Sequence, residues 1–208
     1  MKKILSIIFV SLLFGSTAYA GGMIGIKAGV GELDATKKGY TAGSNTYGGQ
    51  SKAEDSEYGA IFAEVELPDI SGLSLGIEYI PFSATISVDG NSSDSHATLG
   101  EHTTIYGLFT LGDTGAYVKA GYAMAEIDNV KANYVTTTIN SHDDSLDGPM
   151  IGIGFQKELV SSVMGRIEAT FTEYDDVSVT TTSNGSASVK KTADAELTTL
   201  TISLAKQF

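Results

Sequence analysis

The sequence contains no cysteine, only 3 prolines, and few basic residues for its length. The absence of cysteine excludes disulfides and thiolate metal sites, so a domain of this size needs a packed core or a fully hydrogen-bonded barrel. With 13 basic residues against 25 acidic ones, the chain lacks the basic surface that nucleic-acid phosphates require. Nucleic acid is therefore not an expected partner.

Long hydrophobic runs are also missing. After the first 20 residues, no segment carries the roughly 18 consecutive apolar residues that a transmembrane helix needs. The 24 glycines, together with frequent Thr, Ser, Val and Ile, are typical of strands rather than of helices. The length suits one domain, which we expect to be all-β.

The first 20 residues have the layout of a secretory signal. Lys2 and Lys3 precede an apolar run at residues 4–14, which is too short to span a bilayer as a helix. Ala18 and Ala20 form an A-x-A cleavage site. The pattern predicts a cleaved signal over residues 1–20 and a mature domain over 21–208, with 11 basic and 25 acidic residues and a formal charge of −14. A retained anchor would need a longer apolar run.

The mature chain repeatedly alternates apolar with small or polar residues for about ten residues at a time, which is the period of a strand with two different faces. Pro81 interrupts one of these segments, which predicts a bulge. There are eight such segments, at residues 23–31, 58–67, 73–88, 103–111, 117–126, 150–157, 165–173 and 198–208.

The connections between the segments alternate in length. Short ones with turn residues lie at 68–72, 112–115 and 158–163. Long polar ones lie between them, at 32–56, 89–101, 128–147 and 175–195. This layout predicts an eight-stranded, antiparallel, up-and-down transmembrane β-barrel with short periplasmic turns, four long outer loops and both termini in the periplasm.

Alternation alone does not distinguish a soluble barrel, whose apolar face turns inward, from a membrane barrel, whose apolar face meets lipid. Two features favour the membrane barrel. The polar face is dominated by Gly, Ala, Thr and Ser, whereas a soluble surface is about a quarter to a third charged. Aromatic residues on the apolar face lie towards strand ends, as interfacial girdles require: Tyr79, Tyr122 and Phe171 at one end, Phe109, Phe155 and Phe208 at the other.

The few charges within the strands lie on the polar face at similar heights. Three cations and four anions brought together inside a barrel would largely neutralise one another. We interpret this interior ion cluster as a polar plug that fixes strand register; the alternative is a gate on a narrow ion path. Its members are Lys27, Glu64, Glu66, Glu78, Lys119, Arg166 and Glu168.

The last strand carries Leu200, Ile202, Leu204 and Phe208 in alternation. It resembles the terminal assembly signal of the outer-membrane-protein-A and porin-like family of small outer-membrane β-barrels, although Lys206 departs from the usual apolar residue. The resemblance implies a location in the cell outer membrane, contact with its lipid and lipopolysaccharide, recognition by the barrel-assembly machinery, and a monomeric state.

The sequence indicates no catalytic, cofactor or metal site. The three histidines, His96, His102 and His142, fall in or beside predicted outer loops and are interpreted as solvated. Residues 143–148 imitate the start of a calcium loop, but the position of its bidentate glutamate is held by Gly154. The glycines on the strands are interpreted as making room for interior side chains, because no helix follows them.

Four functions stay open at this point. The first is a structural or surface-interaction protein of the outer membrane without catalytic activity. The second is a narrow porin-like channel for small solutes or ions. The third is a lipid-modifying enzyme, which would need a Ser, a His and an acid held against the lipid face. The fourth is a soluble ligand-binding barrel.

Overall fold

The computed structural model describes residues 21–81, 84–90, 93–131, 137–183 and 188–208. The predicted signal segment, with Ala18 and Ala20, lies outside these ranges, as does the side chain of His96. Within the described ranges, no helix combines the length and the apolarity needed to cross a bilayer.

The described chain is almost entirely strand, with one 3₁₀ turn at Gly112–Thr114. The strands are β1 (Gly22–Lys37), β2 (Tyr40–Ala42), β3 (Asn45–Tyr47), β4 (Gln50–Glu66), β5 (Leu73–Ile80), β6 (Ala84–Gly90), β7 (Ser93–Thr110), β8 (Ala116–Lys131), β9 (Thr137–His142), β10 (Ser145–Val160), β11 (Val163–Ser183) and β12 (Val189–Gln207).

Eight of these strands form a closed antiparallel barrel in the order β1, β4, β5, β7, β8, β10, β11, β12. The last strand returns to the first, with Met23 opposite Gln207 and Lys37 opposite Ala193. Closure pairs the backbone groups that an open sheet would leave at its edges, which is the condition for a sheet in lipid. The predicted fold class, an eight-stranded up-and-down barrel, is confirmed.

The predicted long loops are wrong in extent, because much of them is strand. β1 runs on to Lys37 and β4 begins at Gln50, both inside the predicted loop at 32–56, and β11 has 21 residues. β2 and β3 form a hairpin of their own, β6 pairs with β7, and β9 pairs with β11. In these extensions the alternation of apolar and polar residues is weak, because the strands no longer separate lipid from the lumen. The backbone hydrogen bonds between the strands nevertheless continue.

Apolar side chains cover the outside of the barrel and polar ones fill its inside. Ile26, Ile153 and Ile202 are 64%, 65% and 65% exposed, whereas Lys27 and Thr201 are 8% and 2% exposed. An exposed aliphatic belt around buried charges is stable when the outer face meets acyl chains. The predicted girdle aromatics all face outward from their strands: Tyr79, Tyr122, Phe171, Phe109, Phe155 and Phe208.

Outward-facing charges mark both edges of this belt. At the loop end, seven of the eight barrel strands each carry an outward acid just beyond the aliphatic residues: Glu32, Glu57, Glu101, Glu126, Asp147, Glu173 and Glu196. At the short-turn end, the outward charges on the described strands are Lys157 and Lys206. Along β12, Glu196 and Lys206 enclose a band about 25 Å tall at ~3.3 Å rise and ~40° tilt, which matches the apolar band of outer-membrane barrels.

Candidate functional site: the barrel lumen

Four charged side chains from four strands meet in the middle of the lumen. Lys27 Nζ lies 2.5 Å from Glu78 Oε2 and 2.6 Å from Glu168 Oε1. Lys119 Nζ lies 3.2 Å and 3.0 Å from the same two oxygens. Two ammonium groups therefore bridge two carboxylates, and all four residues are buried.

A second ion pair lies next to this group, on its short-turn side. Arg166 donates from Nη1 and Nη2 to the two oxygens of Glu64, at 2.5 and 2.6 Å. Its Nε donates to Gln156 Oε1 at 2.9 Å. This two-pronged pairing is the strongest geometry that arginine and a carboxylate form.

Two tyrosines join the two ion groups. Tyr106 donates to Glu64 Oε1 at 2.8 Å while Lys119 Nζ lies 3.8 Å from the centre of its ring. Tyr117 donates to Glu168 Oε2 at 2.9 Å. Arg166 Cζ lies 5.5 Å from the centre of the Tyr117 ring. The plug, as we call Lys27, Glu64, Glu78, Tyr106, Tyr117, Lys119, Gln156, Arg166 and Glu168, is electrically neutral and joins side chains from seven of the eight barrel strands.

The structure brings six of the seven predicted cluster residues together. Glu66 is the exception, and its assignment to the cluster is wrong. It lies at the end of β4, two residues beyond Glu64 towards the short-turn end, and its side chain is exposed. It shares the inward side of its strand with Glu64, but it reaches water at the mouth and needs no partner there.

Glycines make room for the plug tyrosines. A Cβ at Gly76 would overlap the Tyr106 ring, and a Cβ at Gly154 would overlap the Tyr117 ring. The interpretation of the strand glycines as space for interior side chains is confirmed at these two positions. Each tyrosine ring lies over the glycine that is paired with it on the neighbouring strand, and its hydroxyl donates to a carboxylate.

A cavity of about 140 Å³ lies between the plug and the loop end. Glu78 and Lys119 form its floor. Its walls combine aliphatic and polar side chains, among them Leu33, Leu99, Leu197, Tyr58, Thr104, Thr172 and Thr199. The lumen is therefore polar at the plug and mixed above it.

His102 lines this cavity, so its interpretation as a solvated loop residue is wrong. Tyr174 Oη lies 3.0 Å from His102 Nε2, and His102 Nδ1 is buried without a hydrogen-bond partner. The reason is the length of β7, which begins before the predicted segment and keeps His102 on its inward face. His142 lies at the end of β9, with Nδ1 3.0 Å from the carbonyl oxygen of Asp143.

Residues 143–148, which imitate the start of a calcium loop, contain an aspartate that contacts β11. Ser178 N donates to Asp143 Oδ2 at 2.7 Å, and Asp143 N donates to the carbonyl oxygen of Ser178 at 3.1 Å. Asp143 follows β9, and these bonds continue the pairing of β9 with β11 beyond His142 and Val179. Among the residues that the structure describes, no three His, Asp or Glu side chains are grouped so as to hold a metal ion.

The terminal residues close the barrel. Phe208 N donates to Gly22 O at 3.0 Å, and Phe208 O accepts from Gly21 N and Gly22 N at 3.3 and 3.2 Å. The residues of the predicted terminal assembly signal all lie on the outward face of the last strand, and their side chains are exposed: Leu200, Ile202, Leu204 and Phe208.

No protein-family model matches the chain, and no curated protein sequence matches it. Among solved structures, the outer membrane protein OprG from Pseudomonas aeruginosa is similar with a TM-score of 0.64 and 11% identity, over 91% of this chain and 98% of that one. The outer membrane protein AlkL in lipid bilayers gives 0.56 and 14%, over 93% and 94%. The outer membrane protease OmpT from Escherichia coli gives 0.54 and 8%, over 92% and 98%. At these identities the likeness shows the fold, which is that of the small outer-membrane β-barrels.

Proposed function

We propose that this protein is a monomeric β-barrel of the cell outer membrane with a structural or surface-interaction role, and that its lumen does not conduct. The observation that carries this proposal is the plug, whose three cations and three anions cross the lumen with every charge paired. The fold of its structural neighbours and the exposed aliphatic belt support the location.

Opening a path through the plug would require a buried charge to lose its partner. Removing one member of a buried ion pair costs about 3 to 5 kcal/mol, because the other charge stays behind uncompensated. Lys27 and Lys119 each contact both Glu78 and Glu168, so displacing one side chain disturbs all four. The plug therefore supports a closed barrel better than an open pore.

The loop end offers the surface for interaction. Here the barrel wall continues beyond the acidic residues as paired strands, which present an ordered polar surface. Lys38 Nζ donates to Asp176 at 2.7 Å and ties the end of β1 to β11, and this hydrogen bond raises the pKa of the exposed lysine. We propose lipopolysaccharide and outer-membrane lipid as the barrel's surroundings, and the barrel-assembly machinery as the reader of its terminal strand.

A catalytic role is not proposed. A hydrolytic site would place a serine hydroxyl on a histidine that an acid orients. Among the described side chains, His102 contacts the Tyr174 hydroxyl in the lumen. His142, at the end of β9, contacts the Asp143 carbonyl, and its Nδ1 lies 3.4 Å from Asp144 Oδ1. Neither arrangement places a serine hydroxyl on the histidine.

A narrow channel is the second candidate, and the cavity favours it. The cavity reaches from the loop end down to Glu78 and Lys119, so a solute entering it would arrive at the plug. Exchange of partners among the plug charges would then act as a gate.

Conductance across a planar bilayer separates the two candidates. The purified mature protein is expected to leave the bilayer conductance at its protein-free value, because the plug fills the lumen. Stable conductance steps that disappear in Arg166→Gln or Glu78→Gln, but persist in the rim variant Glu66→Gln, would contradict a closed barrel and establish the channel. Heat-dependent mobility of each variant on SDS gels verifies that the inserted protein is folded.

A further inference from the structure

An apolar groove lies on the outside of the barrel near the short-turn end. Its volume is about 360 Å³, and its lining includes the side chains of Ile24, Ile26, Ile61, Val163, Leu204 and Lys206. Lys206 is the charged residue of this lining, and the others are aliphatic residues and one glycine. The groove follows the seam where the first and last strands join.

The register places the lysine at one end of this groove. Lys206 lies opposite Ile24 on β1 and opposite Val163 on β11. Leu204, one repeat farther into the belt, lies opposite Ile26, which in turn lies opposite Ile61. The groove thus has a cationic end at the membrane edge and aliphatic walls that extend from it into the belt.

Lys206 is available to an external anion. Its side chain is exposed, and no described carboxylate lies within ion-pair distance of it. The charges at the two belt edges are opposite, with acids facing outward at the loop end and Lys157 and Lys206 facing outward at the short-turn end. An anionic headgroup therefore meets attraction at the short-turn edge and repulsion at the other.

We infer that this groove binds one anionic phospholipid of the periplasmic leaflet, with its phosphate on Lys206 and an acyl chain along Ile24, Ile26 and Leu204. A lysine binds phosphate as a point charge, and its aliphatic stem can follow the groove while the ammonium stays at the interface. The inference rests on the proposed membrane location of the barrel, but it does not require the lumen to be closed.

Titration of phosphatidylglycerol onto the detergent-solubilised mature protein, followed by native mass spectrometry, tests this site. One phosphatidylglycerol is expected to bind more tightly than phosphatidylcholine, and Lys206→Gln is expected to weaken its binding roughly fivefold, the contribution of one lysine near an anionic lipid surface. Lys157→Gln is the matched control, since Lys157 lies at the same edge outside the groove. Ile26→Trp, which fills the groove, is expected to weaken both lipids.

Three results would overturn the inference: no preference for phosphatidylglycerol, an equal loss in Lys157→Gln, or equal binding of glycerol 3-phosphate, which has no acyl chain. Failure of the membrane location itself is a separate outcome. It would show as a protein that is soluble and monodisperse after the detergent is removed, whatever lipid is added.

Discussion

Glu64→Gln is expected to lower the free energy of unfolding by about 3 to 5 kcal/mol, as the loss of one partner from a buried ion pair does. The Glu64 carboxylate accepts hydrogen bonds from Nη1 and Nη2 of Arg166 and from the hydroxyl of Tyr106. A neutral amide leaves the guanidinium buried without a counter-charge. Urea unfolding of the protein in detergent micelles, followed by heat-dependent gel mobility, measures the change.

Glu66→Gln is the matched control for this prediction. It makes the same chemical change two residues away on the same strand, at an exposed position, and is expected to alter stability by no more than about 0.5 kcal/mol. The double variant Glu64→Gln/Arg166→Met is expected to be less destabilised than Glu64→Gln, because the uncompensated cation is gone. Equal stabilities of Glu64→Gln and Glu66→Gln would show that the Arg166 pair is not buried in the folded protein.

Ile202→Arg is expected to lower the free energy of unfolding by about 2 to 4 kcal/mol, the cost of arginine on the lipid face at the bilayer midplane. Ile202 is 65% exposed on the outside of β12, near the middle of the belt between Glu196 and Lys206. In water, an exposed isoleucine replaced by arginine would cost little. The measurement is urea unfolding of the protein inserted in phospholipid vesicles.

Thr198→Arg provides the comparison on the same face of the same strand. Thr198 lies four residues nearer the loop end, next to the acidic edge of the belt, where the depth-dependent cost falls to about 0 to 1 kcal/mol. The difference between the two variants is thus a measure of depth in the membrane. Equal effects at positions 198 and 202 would argue against a lipid-facing belt.

The membrane-level part of the fold was predictable from the sequence. Each strand there separates lipid from the lumen, so apolar residues alternate with polar or small ones. The positions of the polar residues in this alternation indicate which side chains are enclosed. Six charges lie on the inward phase at similar heights, and a closed barrel brings neighbouring levels of all its strands together. They could therefore be placed in one cluster, in which Lys27 contacts Glu168. Glu66 lies on the same inward face of its strand as Glu64, but nearer the short-turn end than the cluster.

Other features depend on information that the local pattern does not carry. The strand extensions meet no lipid, so residues such as His102 lose the alternation that would identify their inward face. Tyr117 lies on the inward phase two residues from Lys119, which is a usable signal, whereas Tyr106 has no charged neighbour on its strand. Their partners Glu64 and Glu168 lie on strands that are distant in sequence, and choosing them requires the stagger of the barrel, which only the complete set of strand registers defines.

The face of each strand that meets lipid distinguishes a membrane barrel from a soluble one. Nitroxide labels placed one at a time at residues 199–204 of β12 test this, with relaxation by oxygen, which dissolves in the bilayer, measured in vesicles. The structure predicts high oxygen accessibility at Leu200, Ile202 and Leu204 and low accessibility at Thr199, Thr201 and Ser203. The opposite phase, or equal accessibility at all six positions, would contradict the barrel as described.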